Sequence, residues 1–249
     1  MTITIYDIKI PKSTIEQMAE HERKFFIISG HILNEINFFG KIFLWSSLTD
    51  NLNSKLQDHV SVTQKLASAK VLAGKLFESW NVIQKLYFQS RLSKETNEFL
   101  REESLLALKE LKKYFGNSSN LIATIRNKFS FHYDYNALNS DFSAIPENED
   151  WNIYLSEQNS NSLYYLSEMV VNRSMLTTID SYDPEKALNQ ITVEVNFVWD
   201  QIVNFLSGYI IYLNSKYFQM NRDQIHFMEG VNLLDVIIPY FVKHNNELK

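Results

Sequence analysis

The stretch Asp183–Tyr212, DPEKALNQITVEVNFVWDQIVNFLSGYIIY, decides the fold class of this 249-residue chain. Asp183 can cap a helix that begins at Pro184, because its carboxylate can accept hydrogen bonds from N–H groups of the first turn. Proline suits the first helical position, because it has no N–H group that would be left without a partner there. Apolar side chains then recur in steps of three and four residues: Leu188, Ile191, Val195, Val198, Ile202, Phe205, Tyr209 and Tyr212. This spacing predicts a long helix within a bundle.

The same test predicts a second long helix upstream. Its apolar positions keep a strict three-four alternation: Leu66, Ala69, Ala73, Leu76, Trp80, Ile83 and Tyr87. Helices with such a series bury it against one another when they pack nearly antiparallel. The fold class predicted is therefore all-α, a bundle of long antiparallel helices.

Capping residues predict where other helices begin and end. Ser13 and Glu16 have the spacing of a capping box, which predicts a first helix from there to about residue 50. Ser93 can cap a third helix, and Gly116 is placed to end it. Asn117 or Ser118 can cap a fourth helix over about 119–132.

An acidic segment follows the fourth helix and interrupts the helical pattern. Seven acidic residues and no Lys or Arg lie between Tyr133 and Asn172. Trp151, Ile153 and Leu155 alternate with polar residues as strand residues do, and a turn cluster precedes Leu163. We therefore predict a small β-hairpin insertion at about 133–166.

The two ends of the chain complete the predicted organisation. Residues 2–10 alternate in a way that is typical of a short strand or an extended arm. C-terminal helices are predicted over about 167–244, although Pro239 leaves a broken helix or an extended tail open for 223–244. The whole is predicted to be a single helical domain over 1–249.

Composition limits the class of protein. Hydrophobic residues make up 45%, and four Pro with six Gly disfavour a turn-rich all-β fold. The chain has no Cys, which excludes disulfides and thiolate sites. The start MTITIYDIKI lacks the layout of a signal peptide, and polar residues interrupt the apolar segments 25–45 and 195–213. We expect a soluble, cytoplasmic protein without a membrane partner.

Candidate chemistry concentrates in IRNKFSFHYD, residues 125–134. Three residues of this stretch are of types that act on phosphates: Arg126, Asn127 and His132. The arginine offers a planar set of hydrogen-bond donors, the asparagine amide can orient a phosphate oxygen or the histidine, and the histidine can transfer protons. On a regular helix Arg126 and His132 are separated by about 9 Å and about 120°. They reach one point only if the helix bends or two protomers contribute. A plainer interpretation has the helix dipole favour His132 and an acid of the insertion pair with Arg126.

Charge restricts how nucleic acid could bind. The net charge is −5, which disfavours a broad nucleic-acid face and requires a local basic patch. Lys109, Lys112, Lys113 and Lys128 lie close to Arg126 in sequence, and we take Lys112, Lys113 and Lys128 as candidate RNA contacts. The alternative is a solvated helix face.

Arg126 is followed by the polar Asn127, and five residues separate it from His132, late in a helix of an all-α domain. This pattern resembles the motif of the HEPN superfamily. The phrase FHYD and the later NSLYYLSEMVVNRSML, residues 161–176, are similar to its abortive-infection type. The resemblance implies a dimerising helical bundle with a shared cleft. It further implies a metal-independent endoribonuclease of a toxin or anti-phage type, with Arg126, Asn127 and His132 catalytic, RNA as substrate and an antitoxin protein as partner.

Departures from the family leave alternatives. Asp134 stands where one branch of these toxins carries a modified Tyr, so no modification site is carried over. Many members are non-catalytic, so a protein- or nucleotide-binding module and a plain helical scaffold remain alternatives. His31 and Glu35 have helical spacing for a metal, but no third ligand is evident and a hydrogen bond on the helix face is favoured. We predict no metal and no cofactor.

Overall fold

The protein, described here by a computed structural model, is an all-α bundle with a small antiparallel sheet. The structure describes residues 2–47, 54–130, 142–143, 145–147, 151–218, 224–232, 235–236 and 238–242. Its α-helices are α1 (Lys12–Glu16), α2 (Glu20–Ser47), α3 (Lys55–Ile83), α4 (Leu92–Thr96), α5 (Glu102–Gly116), α6 (Leu121–Ile125), α7 (Tyr165–Ile179) and α8 (Pro184–Tyr217). Its strands are β1 (Thr2–Asp7) and β2 (Gln224–Glu229). The predicted all-α class with a small antiparallel β element is thereby confirmed.

Helix α8 forms as its sequence predicts. The Asp183 carboxylate accepts a hydrogen bond from the N–H of Lys186 at 2.9 Å, and Pro184 occupies the first turn. The predicted apolar positions of α8 are buried from Ile191 to Tyr209, while Leu188 and Tyr212 at the two ends of the series are half-buried. None of the described helices is both long and apolar enough to cross a membrane.

The core lies where α2, α3 and α8 meet. Phe25 of α2 packs its ring 4.8 Å from Tyr209 of α8, and Phe205 lies 4.9 Å from Tyr87 in the π-helical turn Gln84–Phe88 that follows α3. The Tyr87 hydroxyl is bonded to Thr96 and Asn97, and burial raises the pKa of Tyr87 to about 12. These rings hold the three long helices together, and α5 packs against α8.

The first and third predicted helices are each divided in two. The chain turns between α1 and α2, where Met18 enters the core with 3% of its surface exposed. It turns again at Leu100, which is also buried, so that the helix predicted from Ser93 becomes α4, a short 3-10 turn and α5. Burying an apolar residue at each turn explains these breaks, which no Pro or Gly marks in the sequence.

The fourth helix begins later than predicted and changes its form. Asn120, rather than Asn117 or Ser118, is the cap, because its side chain accepts the N–H of Ala123 at 2.8 Å. The side chain of Asn117 instead accepts the N–H of Ser119 within the preceding turn. Helix α6 ends at Ile125 and continues as a π-helical segment, Arg126–Ser130.

The sheet joins the two ends of the described chain. Strand β1, predicted from residues 2–10, pairs antiparallel with β2, so that Ile3 faces Met228 and Ile5 faces His226. Residues 224–229, for which a broken helix or a tail was expected, are thus a strand. In the described part of the predicted insertion hairpin, pairing is limited to one antiparallel bridge, with Tyr154 and Leu163 exchanging hydrogen bonds of 2.8 Å.

Two glycines of α2 give a matched test of the packing. A Cβ at Gly40 would overlap the Trp199 indole, which is tethered by its 3.2 Å hydrogen bond to Asn37, whereas a Cβ at Gly30 would meet nothing within 4 Å. Gly40→Ala is expected to lower the free energy of unfolding by about 1–3 kcal/mol through overpacking. Gly30→Ala should raise it by about 0.5–1 kcal/mol, because alanine is the better helix former. Urea unfolding of both variants checks this, and a shift of the same sign for both would contradict the packing described.

Candidate functional site

Arg126 opens the π-helical segment that extends α6. The Ser130 hydroxyl at the end of this segment contacts the carbonyl of Ile125 at 3.2 Å and that of Lys70 on α3 at 2.6 Å. The segment therefore runs alongside α3. Single π-helical turns inside helices recur at functional sites, where the widened turn redirects side chains.

The Arg126 guanidinium is held in a fixed orientation on the surface of α3. Its Nε and Nη2 donate to Oε1 of Glu78 at 3.0 and 2.8 Å, and its Nη1 donates to Oδ1 of Asn127 at 3.0 Å. The guanidinium carbon also lies 5.3 Å from the ring centroid of Phe77. The side chain stays 32% exposed, so a ligand from solvent can reach this arginine.

Of the other two predicted catalytic residues, the structure describes Asn127 but not His132. Asn127 is beside Arg126 and shares its amide oxygen with the guanidinium, as an orienting residue would. His132 lies outside the described residues. Lys128, a candidate RNA contact, is exposed on the same π-helical segment as Arg126.

A row of aromatic rings connects Arg126 with Lys112. Phe115 of α5 lies 6.4 Å from Phe77 and stacks at 4.9 Å on Trp80 of α3. Trp80 in turn lies 5.9 Å from Phe88, and the Lys112 ammonium stands 4.0 Å from the centroid of that ring. The row thus carries one cation at each end, and it passes between them through Trp80, which is buried in the core.

Lys113 belongs to a different feature. It lines a cavity of about 530 Å³ where α5, α6 and α8 meet. There the Tyr114 hydroxyl donates to Glu194 at 2.6 Å and accepts the N–H of Ile122 at 3.3 Å. Burial, and then the Glu194 carboxylate, raise the pKa of Tyr114 far above its ordinary value. This tyrosine remains protonated and ties the three helices together.

The alternative metal pair on α2 has other partners. Glu35 accepts a hydrogen bond from Lys75 at 2.6 Å and lies 3.6 Å from His31. Within the part of the chain that the structure describes, no three His, Asp or Glu side chains are grouped to hold a metal ion.

Glu78 and Phe77 are the site residues that sequence reasoning missed. Both are remote in sequence from Arg126 and meet it only because the π-helical segment packs on α3. Glu78 is an exposed acid on a long helix, which carries no signal in a single sequence.

No protein-family model matches this sequence, and no significant match was found to curated proteins or to solved structures. The described residues define a protein of the all-α class with an exposed, oriented arginine on its surface.

Proposed function

We propose that this protein is a metal-independent endoribonuclease in which Arg126, Asn127 and His132 act on an RNA phosphate. The observation that carries the proposal is the Arg126 guanidinium. It is oriented by Glu78 and Asn127, is open to solvent and lies six residues before His132. The resemblance of this motif to HEPN proteins of the abortive-infection type supports the same activity.

The proposed reaction requires no group beyond the substrate and these side chains. The 2′-hydroxyl of one nucleotide attacks the adjacent phosphorus, the new 2′-oxygen–phosphorus bond forms and the bond to the 5′-oxygen breaks. His132 moves the proton from the attacking hydroxyl or to the leaving oxygen, as an imidazole does near neutral pH. Arg126 donates to the phosphate oxygens as negative charge builds on them. The products carry a 2′,3′-cyclic phosphate and a 5′-hydroxyl.

Glu78 has a distinct part in this proposal. Its carboxylate occupies the donors of Arg126 that an RNA phosphate would use, so substrate must displace it from at least one of them. Glu78 is 49% exposed, which keeps the cost of releasing that contact low. Until substrate arrives, Glu78 and Phe77 keep the guanidinium in place.

The lysines supply the proposed strand contacts. Lys128 stands beside Arg126 on the π-helical segment, and Lys112 is proposed as a second contact at the far end of the aromatic row. Trp80 in the middle of that row is buried, so the strand is proposed to pass over the surface between the two lysines without stacking on the row. Lys113 is proposed as a more distant contact. This local patch fits a chain whose overall charge is negative, and the binding it gives should weaken with salt.

The cellular setting of the proposal follows from the resemblance. It is an RNA-cleaving toxin or anti-phage effector in the cytoplasm, acting as a homodimer in which two copies of the motif form one cleft. An antitoxin protein would keep it silent.

The direct test is cleavage of a labelled single-stranded RNA by the purified protein in EDTA. We expect the RNA to be cut and the same sequence with 2′-O-methyl groups to stay intact, because methylation removes the attacking nucleophile. Intact RNA throughout, with correctly folded protein, would contradict the proposal. So would equal cutting of both strands.

A second candidate function is a non-catalytic HEPN-like module that binds a protein or a nucleotide. The pairing of Arg126 with Glu78 favours it, because a paired arginine can serve as a structural contact. This function predicts RNA or nucleotide binding without cleavage in the same assay.

A further inference from the structure

A pocket of about 210 Å³ lies between α3 and α7, and its lining includes neither Arg126 nor the residues that contact Arg126. Val62 and Leu66 of α3, with Met169 and Leu176 of α7, form apolar walls. Asn172, Arg173 and Thr177 supply its polar groups, and the ring of Tyr165 also lines it. Such a mixture of apolar walls with few polar groups is typical of ligand sites, and because the pocket is open to solvent, part of a ligand larger than its volume can project from it.

Arg173 lines the pocket and carries a buried hydrogen-bond donor that has no acceptor among the described residues. This donor is its Nε, which is inaccessible to solvent. A buried donor without a partner is costly, and more so on a charged group. The planar fork of an arginine matches the oxygens of a phosphate or a carboxylate. The missing partner is therefore most simply an anion.

The charge around the pocket favours an anion with one negative charge. The Lys70 ammonium donates to Oδ1 of Asn172 at 3.3 Å, and the Asn172 amide donates to Glu168 at 3.2 Å. Lys70 and Arg173 are positive and Glu168 is negative, so these three groups together carry one net positive charge. Burial lowers the pKa of Lys70, and the negative charge of Glu168 opposes that shift. A bound anion would therefore stabilise the charged form of this lysine.

Tyr165 gives the pocket a rigid flat surface. The ring of His59 stacks on it at 3.5 Å with an interplanar angle of 6°, and the Tyr154 hydroxyl is 3.0 Å from Nδ1 of His59. Burial lowers the pKa of His59, so that its ring is neutral near pH 7. A tyrosine held in this way can support a stacked base, whatever that base is.

We propose that the α3/α7 pocket binds one nucleotide, its singly charged phosphate ester at Arg173 and its base against Tyr165. The nucleotide can be free in solution or can belong to an RNA strand, and only the second source rests on the proposed ribonuclease function. The Ser130–Lys70 contact places the end of the Arg126 segment beside Lys70. Lys70 precedes Glu78 by eight residues, about 12 Å along α3, a distance that one RNA strand can span.

Equilibrium binding with three probes tests the pocket: adenosine 2′,3′-cyclic monophosphate, adenosine, and an uncleavable 2′-O-methyl oligonucleotide. The wild type is expected to bind the cyclic nucleotide, the oligonucleotide or both, and to bind adenosine at least about tenfold more weakly. Arg173→Gln should weaken the phosphate-bearing probe by about tenfold or more, as for loss of a charged hydrogen bond. The matched control Arg101→Gln, at an exposed arginine beside α5, should bind within about twofold of wild type.

The source of the nucleotide follows from which probe binds: the cyclic nucleotide alone indicates a free ligand, and the oligonucleotide indicates RNA. Absence of binding for both phosphate probes, adenosine binding as tightly as they do, or affinity unchanged in Arg173→Gln would each overturn the proposal. Circular dichroism verifies that each variant is folded. If Arg173→Gln does not fold, Arg173→Lys is measured in its place; it keeps the charge and should retain only part of the affinity. Cleavage of unmodified RNA is measured separately, so that loss of the ribonuclease proposal and loss of the pocket proposal are distinguishable.

Discussion

Replacing Arg126 by alanine is expected to slow RNA cleavage by about 10²–10³-fold, the usual cost of removing one donor that stabilises transition-state charge. The guanidinium is oriented by Glu78 and Asn127, so a phosphate that displaces Glu78 meets donors that are already in place. His132→Ala is expected to cost about 10²–10⁴-fold, as for loss of a general acid or base. Single-turnover rates at saturating protein measure both effects apart from substrate affinity.

Two further variants separate chemistry from charge and stability. Arg126→Lys keeps the charge but loses the fork that bonds both Glu78 and Asn127, so only a small part of the rate should return. Lys128→Ala removes an exposed cation from the same segment and should weaken RNA binding while leaving the saturated rate close to wild type. A saturated rate unchanged in Arg126→Ala would show that this arginine is a structural partner of Glu78.

Lys216→Met is expected to have the largest effect on stability, about 3 kcal/mol. The Glu22 carboxylate is 2% exposed at the start of α2 and accepts hydrogen bonds from Lys216 at 2.6 Å and from the Tyr217 hydroxyl. Removing one partner of a buried ion pair leaves an uncompensated charge, at a cost of about 3–5 kcal/mol. The lower end applies because Lys216 is 41% exposed.

The pH dependence of the unfolding free energy should change sign in this variant. Burial alone would raise the pKa of Glu22, but hydrogen bonds from Lys216 and Tyr217 outweigh burial and lower it below its ordinary value of 4.5. In the wild type this group therefore contributes stability above pH 4.5 that is lost as the pH falls through the folded pKa. Without Lys216, burial prevails, and the variant should regain stability between pH 7 and about pH 5.

Urea unfolding at pH 7 and pH 5 measures this difference. The double variant Glu22→Gln with Lys216→Met has no buried charge and should be more stable at pH 7 than Lys216→Met alone. Lys24→Met breaks a pair with Glu20 on the same helix in which both side chains are exposed, and it should change little. A Lys216→Met variant as stable as wild type at pH 7 would contradict the role assigned to Glu22.

The parts of the fold that the sequence predicted are those governed by local pattern. The cap at Asp183 and the alternating apolar positions of α8 follow from helix geometry alone. The breaks at Met18 and Leu100 depend on which residues the core accepts, and that is a tertiary property. Strand β2 was missed because its partner, β1, lies at the other end of the chain.

The candidate site also contains residues that the local sequence pattern predicts and residues that only tertiary packing brings in. Arg126 and Asn127 are adjacent in sequence and their side chains are hydrogen-bonded to each other, while their catalytic role stays a prediction. Glu78 was not predictable, since its contact with Arg126 exists only after the π-helical segment packs on α3. Lys112 and Lys113 are neighbours in sequence but project about 100° apart on α5, so one joins the aromatic row and the other lines a separate cavity.

The most direct test of the ribonuclease proposal is the chemical nature of the product ends. The wild type, incubated with single-stranded RNA in EDTA, is predicted to leave a 2′,3′-cyclic phosphate on one fragment and a 5′-hydroxyl on the other. Arg126→Ala and His132→Ala, purified identically, should yield neither. Fragments with 5′-phosphates, or the same cyclic ends from both variants at wild-type rates, would contradict cleavage by Arg126 and His132.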